Sequence, residues 1–206
     1  NVVSILLEGL QRLEYRGYDS AGVAVGQGGS IASRRALGKL VNLRESLEGN
    51  PLYGTVGIGH TRWATHGGPS ESNAHPHSSE RVTVVHNGII ENYQQLRAEL
   101  TAAGVVFTSE TDTEVVVHQI YNHQAEGKEL LQATRDAITE LEGAYALGVV
   151  SNSEQGRLIA ARRGSPLVIG VGIGENFIAS DVAALLPVTR RFIFLEDGDV
   201  ADISRA

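Results

Sequence analysis

An arginine and the only tryptophan of the chain stand together at the end of a predicted strand. Residues 59–67 read GHTRWATHG and follow a short β-branched stretch over residues 55–58. An arginine in this position can present two parallel N–H groups to a carboxylate. The alternative is a surface Arg62 whose aliphatic stem lies over Trp63. The dense run of polar residues between strand and loop favours the binding interpretation.

A second segment suits the stabilisation of an oxyanion during acyl transfer. Residues 84–92 read VVHNGIIEN, and we expect Asn87 and Gly88 to form a turn at the end of a strand. Asparagine before glycine is a common turn sequence, because both residues tolerate positive φ. The functional alternative is that the Asn87 amide and the Gly88 N–H donate to the oxygen that becomes negative when an acyl group is attacked.

A third candidate is Asp112, in the sequence T-D-T-E of residues 111–114. The spacing of Thr111 and Glu114 is that of a capping box at a helix start. A carboxylate in the first helical turn is stabilised by the helix dipole, which is the structural interpretation of Asp112. The functional interpretation is a carboxylate that binds the ammonium group of a substrate.

Histidines are concentrated in one part of the chain. Five of them fall within 27 residues, namely His60, His66, His75, His77 and His86. No HExxH or CxxC motif accompanies them, nor does an acidic residue at ligand spacing. We therefore interpret these rings as hydrogen-bonded packing groups and expect no metal and no cofactor. The glycines at 170, 172 and 174 lack the Lys-Ser/Thr ending of a phosphate loop and predict a turn.

The composition argues against several classes of protein. The 206-residue chain has a formal net charge of −7, and its basic residues are dispersed, so we expect no nucleic-acid partner. Its apolar runs are far shorter than the roughly 20 residues of a membrane-spanning helix, so we expect no membrane partner. The absence of cysteine excludes a disulfide framework and fits a cytoplasmic protein.

Apolar periodicity predicts an α+β fold. The predicted helices cover residues 2–15, 39–48, 91–103, 112–125 and 129–141, and the last two end at Gly127 and Gly143. The predicted strands cover residues 21–26, 31–37, 55–62, 82–87, 144–151, 157–163, 166–171, 175–180, 191–196 and 199–204. Helices and strands occur in blocks rather than in strict alternation, which favours α+β layers over a doubly wound parallel sheet. Residues 63–80 lack periodicity, and so long a loop is typical of a functional lid.

Six segments taken together resemble a known family. They are RLEYRGYDSAG at 12–22, GHTRWATHG, VVHNGIIEN, SETDTE at 109–114, RGSPLVIG at 163–170 and ENFIASD at 175–181. In this order they are similar to the glutaminase domain of class II glutamine amidotransferases, and to the branch that forms glucosamine 6-phosphate in particular. The resemblance implies a four-layer αββα sandwich of antiparallel sheets, of the N-terminal-nucleophile hydrolase type.

The resemblance also implies an activity and its site residues. Glutamine would be hydrolysed to glutamate and ammonia, and the full-length enzyme would use the ammonia to form glucosamine 6-phosphate from fructose 6-phosphate. Arg62 would bind the α-carboxylate of glutamine and Asp112 its α-ammonium group. Asn87 and Gly88 would form the oxyanion hole.

Three further residues receive roles from the same resemblance. Thr65 and His66 would lie on the loop that covers glutamine. Trp63 would stand at the gate through which ammonia leaves. A closed loop of this kind keeps water away from a reactive intermediate.

The sequence departs from the family pattern at the nucleophile. Family members begin with a cysteine whose thiolate attacks glutamine and whose α-amine is the base, whereas this chain contains no cysteine. Asn1 cannot replace it, because an amide is not a nucleophile. We therefore expect one domain over residues 1–206 that lacks an N-terminal strand of about ten residues, headed by that cysteine, and the C-terminal sugar isomerase region. By itself such a chain is expected to be inactive.

The expected partners are L-glutamine and a C-terminal sugar-phosphate isomerase domain of the same polypeptide, and the full-length enzyme is expected to be a homodimer. Two alternatives stay open from the sequence. One is a glutamine-binding module without catalysis that begins at Asn1. The other is the glutaminase domain of a different class II amidotransferase.

Overall fold

The observed elements follow the apolar periodicity of the chain. A computed structural model describes residues 1–204. Its helices are α1 (Val2–Leu13), α2 (Leu40–Gly49), α3 (Tyr93–Ala102), α4 (Thr113–Ala125) and α5 (Leu130–Thr139). Its strands are β1 (Ser20–Gln27), β2 (Ser30–Leu37), β3 (Gly57–Arg62), β4 (His77–Ser78), β5 (Val82–Ile90), β6 (Gly143–Ser151), β7 (Arg157–Arg163), β8 (Val168–Val171), β9 (Asn176–Ala179), β10 (Phe192–Phe194) and β11 (Val200–Ser204).

Two antiparallel sheets face each other between two layers of helices. The first sheet has the strand order β2-β1-β3, and α1 and α2 cover it with residues such as Leu7 and Leu43. The second has the order β11-β7-β6-β5-β4, and α4 and α5 cover it with residues such as Ile120. Ile58 of β3 and Val150 of β6 belong to a cluster that fills the space between the sheets. The layer order is therefore αββα, as the family resemblance implied.

A small third sheet completes the fold. It has the strand order β10-β8-β9, and all its pairings are antiparallel. Ile169 and Leu195 pack with Ala146 and Ala160 of the larger sheet in a separate apolar cluster. Within residues 1–204, no helix combines the length and apolarity needed to cross a bilayer.

Strand β5 is longer than predicted, and this changes the position of Asn87 and Gly88. Both residues lie inside the strand, opposite Ala146 and Tyr145 of β6, so the predicted turn is wrong. Gly88 has φ +136°, and a Cβ added to it would lie 2.1 Å from the carbonyl oxygen of Ala144. Glycine permits this backbone conformation and the close approach of the two strands. Because it pairs with β6, β5 continues through Asn87 and Gly88, although this dipeptide is typical of a turn.

The predicted capping box at residues 111–114 is also wrong. The N-cap of α4 is Asp112, whose side chain makes no capping hydrogen bond. The Glu114 carboxylate instead accepts hydrogen bonds from the backbone N–H groups of Thr108 (2.8 Å) and Ser109 (2.7 Å). It thereby fastens the loop before the helix, and hydrogen bonding by these donors helps to hold its pKa well below the usual range despite burial.

Two smaller expectations also differ from the structure. α5 ends at Thr139, and Gly143 is the first residue of β6 with φ +107° rather than a helix stop. Residues 63–80 form a long loop as predicted, except that His77 and Ser78 pair with β5. That pairing ties the end of the loop to the larger sheet.

Candidate active site

A cavity of about 770 Å³ is lined by β3, β5, β6 and one side of α1. Its walls include all seven residues that the sequence singled out. They are Arg62, Trp63, Thr65, His66, Asn87, Gly88 and Asp112. Residues that are up to 50 positions apart in the chain therefore share one space between the two sheets.

Arg62 is a buried cation at the end of β3, with 3% of its surface exposed. Its Nη2 donates to the carbonyl oxygens of His66 (2.6 Å) and Gly67 (2.9 Å), and its Nη1 donates to that of Gly68 (3.4 Å). Nη1 also lies 3.8 Å from Oδ1 of Asp19. Of the five guanidinium N–H groups, the one on Nε and one on Nη1 have no hydrogen-bond partner within residues 1–204. Arg62 thus holds the loop and keeps two donors free.

Asp112 is a buried anion at the start of α4, with 4% of its surface exposed. Its Oδ2 accepts a hydrogen bond from the Ile90 N–H (2.8 Å) and lies 3.9 Å from Nδ1 of His86. Burial lowers the pKa of His86 in spite of the attraction of Asp112, so the ring is neutral at pH 7. Asp112 therefore has no cationic partner within residues 1–204, and its negative charge on the cavity wall is uncompensated.

Asn87 and Gly88 lie across the cavity on β5. The Asn87 side chain is exposed, and its amide makes no hydrogen bond to any residue from 1 to 204. Its N–H groups are therefore free to donate into the cavity. Gly88 pairs with Tyr145 of β6, and its lack of a side chain leaves room for the carbonyl oxygen of Ala144.

The loop that follows β3 places two aromatic rings beside the cavity. Trp63 is 62% exposed, and its ring meets that of Tyr18 edge to face with centroids 5.5 Å apart. His66 packs on Tyr93 with centroids 4.8 Å apart, and its buried Nε2 has no hydrogen-bond partner among the described residues 1–204. The loop thus presents the Trp63 ring to solvent and the His66 imidazole to the cavity.

Asp19 also belongs to this region, although no sequence pattern singled it out. Its carboxylate accepts hydrogen bonds from the Ala64 N–H and from the Ser20 hydroxyl (2.9 Å). Its own N–H donates to the carbonyl oxygen of Arg62 (3.1 Å). The YDSAG segment contains Asp19, but only the pairing of β1 with β3 shows that it holds the start of the loop.

A cluster of neutral histidines lies behind these residues. The rings of His60 and His75 stack with centroids 4.2 Å apart, and His75 Nε2 and His86 Nδ1 each lie 2.9 Å from the Thr113 hydroxyl. Burial lowers the pKa of His60 to about 3 and that of His77 to about 4. Within residues 1–204, no group of three or more histidine or acidic side chains is arranged to hold a metal ion. The cluster forms a polar but uncharged support.

The chain is similar in sequence to known enzymes over its whole length. The chain is 58% identical over 205 residues to the glutamine–fructose-6-phosphate aminotransferase [isomerizing] of Acinetobacter baylyi, with 100% of this chain and 34% of the relative covered. It is 61% identical over 206 residues to the enzyme of the same name from Idiomarina loihiensis, with 99% and 34% covered. The chain therefore spans about a third of the length of these relatives.

Solved structures agree with this result. The glutamine phosphoribosylpyrophosphate amidotransferase of B. subtilis, in complex with ADP and GMP, matches with a TM-score of 0.83 and 26% identity over 98% of this chain and 44% of that chain. A structure described as the allosteric regulatory enzyme of purine biosynthesis matches with a TM-score of 0.83 and 27% identity, again over 98% and 44%. The expected N-terminal-nucleophile hydrolase fold is confirmed by this likeness. Residues 60–187 match the glutamine amidotransferase domain, and the chain belongs to that family.

Proposed function

We propose that this chain is the glutaminase domain of a glutamine–fructose-6-phosphate aminotransferase. It hydrolyses glutamine to glutamate and ammonia, and a further region of the longer protein uses the ammonia to form glucosamine 6-phosphate. The observation that carries the proposal is the cavity that combines a guanidinium with free donors, an uncompensated carboxylate and the free amide of Asn87.

The two buried charges suit a free amino acid. Glutamine carries a carboxylate and an ammonium group on the same carbon atom, and Arg62 and Asp112 offer the opposite charge to each. Both side chains are buried, so their interactions with a bound zwitterion are weakly screened by solvent. Thr65 and His66 then cover the bound glutamine, and Trp63 stands where ammonia leaves.

The free edge of β3 supports a position for the nucleophile. Within residues 1–204, β3 pairs with β1 alone, and its residues line the cavity together with Val2, Leu6 and Leu10 of α1. An added strand would satisfy its backbone by pairing with β3 and would bury apolar side chains against α1. We place the cysteine-headed strand of the family there, as a segment that precedes Asn1 in the longer protein.

The chemistry follows from this arrangement. The thiolate attacks the side-chain amide carbon of glutamine, with the cysteine α-amine as the base. The oxygen becomes negative and accepts hydrogen bonds from Asn87 and the Gly88 N–H. The C–N bond then breaks, the nitrogen leaves as ammonia after it takes up a proton, and water hydrolyses the thioester to glutamate and free thiol.

The identity of the relatives favours the amino-sugar branch over others. The chain is 58–61% identical to aminotransferases that act with fructose 6-phosphate by name, but 26–27% identical to the phosphoribosylpyrophosphate amidotransferase and the purine enzyme. The relatives are about three times longer than this chain, so the partner in our proposal is a sugar-phosphate isomerase region of the same polypeptide. We further propose that the full-length enzyme is a homodimer that acts in the cytoplasm.

The test is covalent labelling of the full-length protein with a glutamine-analogue electrophile, combined with measurement of glutamate release. We expect one adduct per chain, on a cysteine upstream of Asn1, and protection by glutamine. Absence of an adduct and of glutamate would contradict the proposal. Calorimetric binding of glutamine without glutamate release would instead support the alternative of a binding module without catalysis.

A further inference from the structure

Asn73 is a buried polar residue with 2% of its surface exposed. It lies in the middle of the loop of residues 63–80, here called the covering loop. Its Nδ2 donates to the carbonyl oxygen of Gly68 (2.9 Å) and to Oε2 of Glu110 (3.2 Å). Its Oδ1 accepts a hydrogen bond from the Glu110 N–H (2.9 Å). Every polar atom of this side chain is therefore used to join two segments that lie 37 residues apart.

The contact with Gly68 connects Asn73 to the predicted carboxylate-binding residue. The same carbonyl oxygen also accepts a hydrogen bond from Nη1 of Arg62. Gly67 lies between these groups with φ +76°, and a Cβ added to it would be 2.5 Å from Nδ2 of Asn73. Asn73 and Arg62 therefore hold the same turn of the loop from two sides.

The contact with Glu110 connects Asn73 to the predicted ammonium-binding residue. Glu110 precedes Asp112 by two residues, and the intervening backbone is short and constrained. Ser109, on the other side of Glu110, donates its N–H and its hydroxyl (2.6 Å) to Glu114. Asp112 itself accepts the Ile90 N–H. A shift of the Glu110 backbone would therefore also shift Asp112.

We propose that Asn73 is a positioning residue. It fixes the position of the covering loop relative to the segment around Asp112, so that both are placed to bind glutamine. The proposal rests on the proposed function and deepens it. A loop of this length that had to become ordered on binding would lose conformational entropy at that step. Because the Asn73 amide orders it beforehand, Arg62 and Asp112 present their charges at a fixed separation. Asn73 acts through these residues and does not itself touch the reacting atoms.

The first test is Asn73→Ala in the full-length enzyme, assayed for glutamate release. We expect the KM for glutamine to rise about tenfold, the effect of losing roughly 1.4 kcal/mol, with kcat within about threefold. The KM for fructose 6-phosphate should not change. The control is Asn92→Ala, because Asn92 also bridges two segments, to the Glu140 carbonyl oxygen (2.9 Å) and the Glu142 N–H (3.0 Å), but outside the cavity.

The second test is a rescue that remains decisive if Asn73→Ala does not fold. Asn73→Asp keeps the acceptor for the Glu110 N–H but loses both donors and faces the Glu110 carboxylate, so the KM for glutamine should rise at least tenfold. Adding Glu110→Gln supplies an amide that donates to the new carboxylate, and at least a threefold recovery of KM is expected.

Each outcome decides the proposal. A KM for glutamine within twofold of wild type in folded Asn73→Ala or Asn73→Asp overturns it. The proposal is also overturned if Asn73→Asp has the same KM with and without Glu110→Gln. It is overturned as well if the control Asn92→Ala raises the KM for glutamine as much as Asn73→Ala does. Absence of glutamate release from the wild-type enzyme is a different result, because it contradicts the proposed function itself.

Discussion

Replacing Asn87 by alanine tests the oxyanion hole most directly. The Asn87 side chain is exposed and makes no hydrogen bond to any residue from 1 to 204, so its removal deletes almost no stabilising contact. Its backbone stays paired with Ala146 in the ladder between β5 and β6. The substitution therefore removes one donor from the cavity and leaves the fold intact.

The expected effect falls on turnover. Loss of one oxyanion donor typically costs about 3–4 kcal/mol of transition-state stabilisation, or a 10²–10³-fold decrease in kcat. Neutral glutamine in the ground state carries no oxyanion, so the KM should stay within about twofold. Asn87→Asp should be worse, because a carboxylate repels the developing negative charge.

The assay is steady-state glutamate release by the full-length enzyme, together with its thermal midpoint. The matched control is Asn176→Ala, because Asn176 is a second exposed asparagine that lines the same cavity, and its kcat should not change. A tenfold rise in KM with unchanged kcat in Asn87→Ala would refute the assignment. Equal losses of kcat in the two variants would also refute it.

Three further predictions concern binding, backbone geometry and pH. Arg62→Ala should raise the KM for glutamine at least tenfold, since it removes both the free donors and the anchor of the loop; a kcat-only effect in the same assay would contradict this role. Gly88→Ala should lower the free energy of unfolding by about 3 kcal/mol or more, because it combines a positive φ with a backbone clash; an unchanged thermal midpoint would contradict this. Histidines in the unfolded chain have a pKa of about 6.5, whereas in the fold burial lowers the pKa of His60 to about 3 and that of His77 to about 4. The unfolded state therefore takes up protons at a higher pH than the folded state. Stability should therefore fall as pH drops from about 6.5 towards 4, and denaturation of His77→Gln should show a shallower pH dependence than the wild type.

Local sequence was enough to predict most of the helices and strands, whereas their αββα arrangement was implied by the family resemblance. α4 and α5 were predicted because apolar residues recur on one side of a helix, and Gly127 ends α4 with φ +93° as expected. The strands were predicted because β-branched residues alternate between glycine-rich turns. These signals depend on neighbours within a few positions, so one sequence contains them.

The errors occur where a partner outside the motif overrides a local preference. The Asn87-Gly88 pair favours a turn by itself, but β6 offers a continuous ladder that keeps both residues in β5. Glu114 has the spacing of a capping residue, but the N–H groups of Thr108 and Ser109 bind it more closely. In both cases the deciding group comes from another part of the chain or from a loop without a sequence signal.

The order of the six segments was sufficient to indicate the family, which the domain match and the relatives confirm, and the resemblance assigned a predicted partner to carboxylate, ammonium and oxyanion. Tertiary structure decided how those partners are held. Asp19 and Asn73 carry no motif of their own, and their importance appears only when β1 pairs with β3 and the covering loop meets Glu110. Hydrogen bonds across such sequence distances form only when the two sheets and their loops pack, and a linear pattern does not contain them.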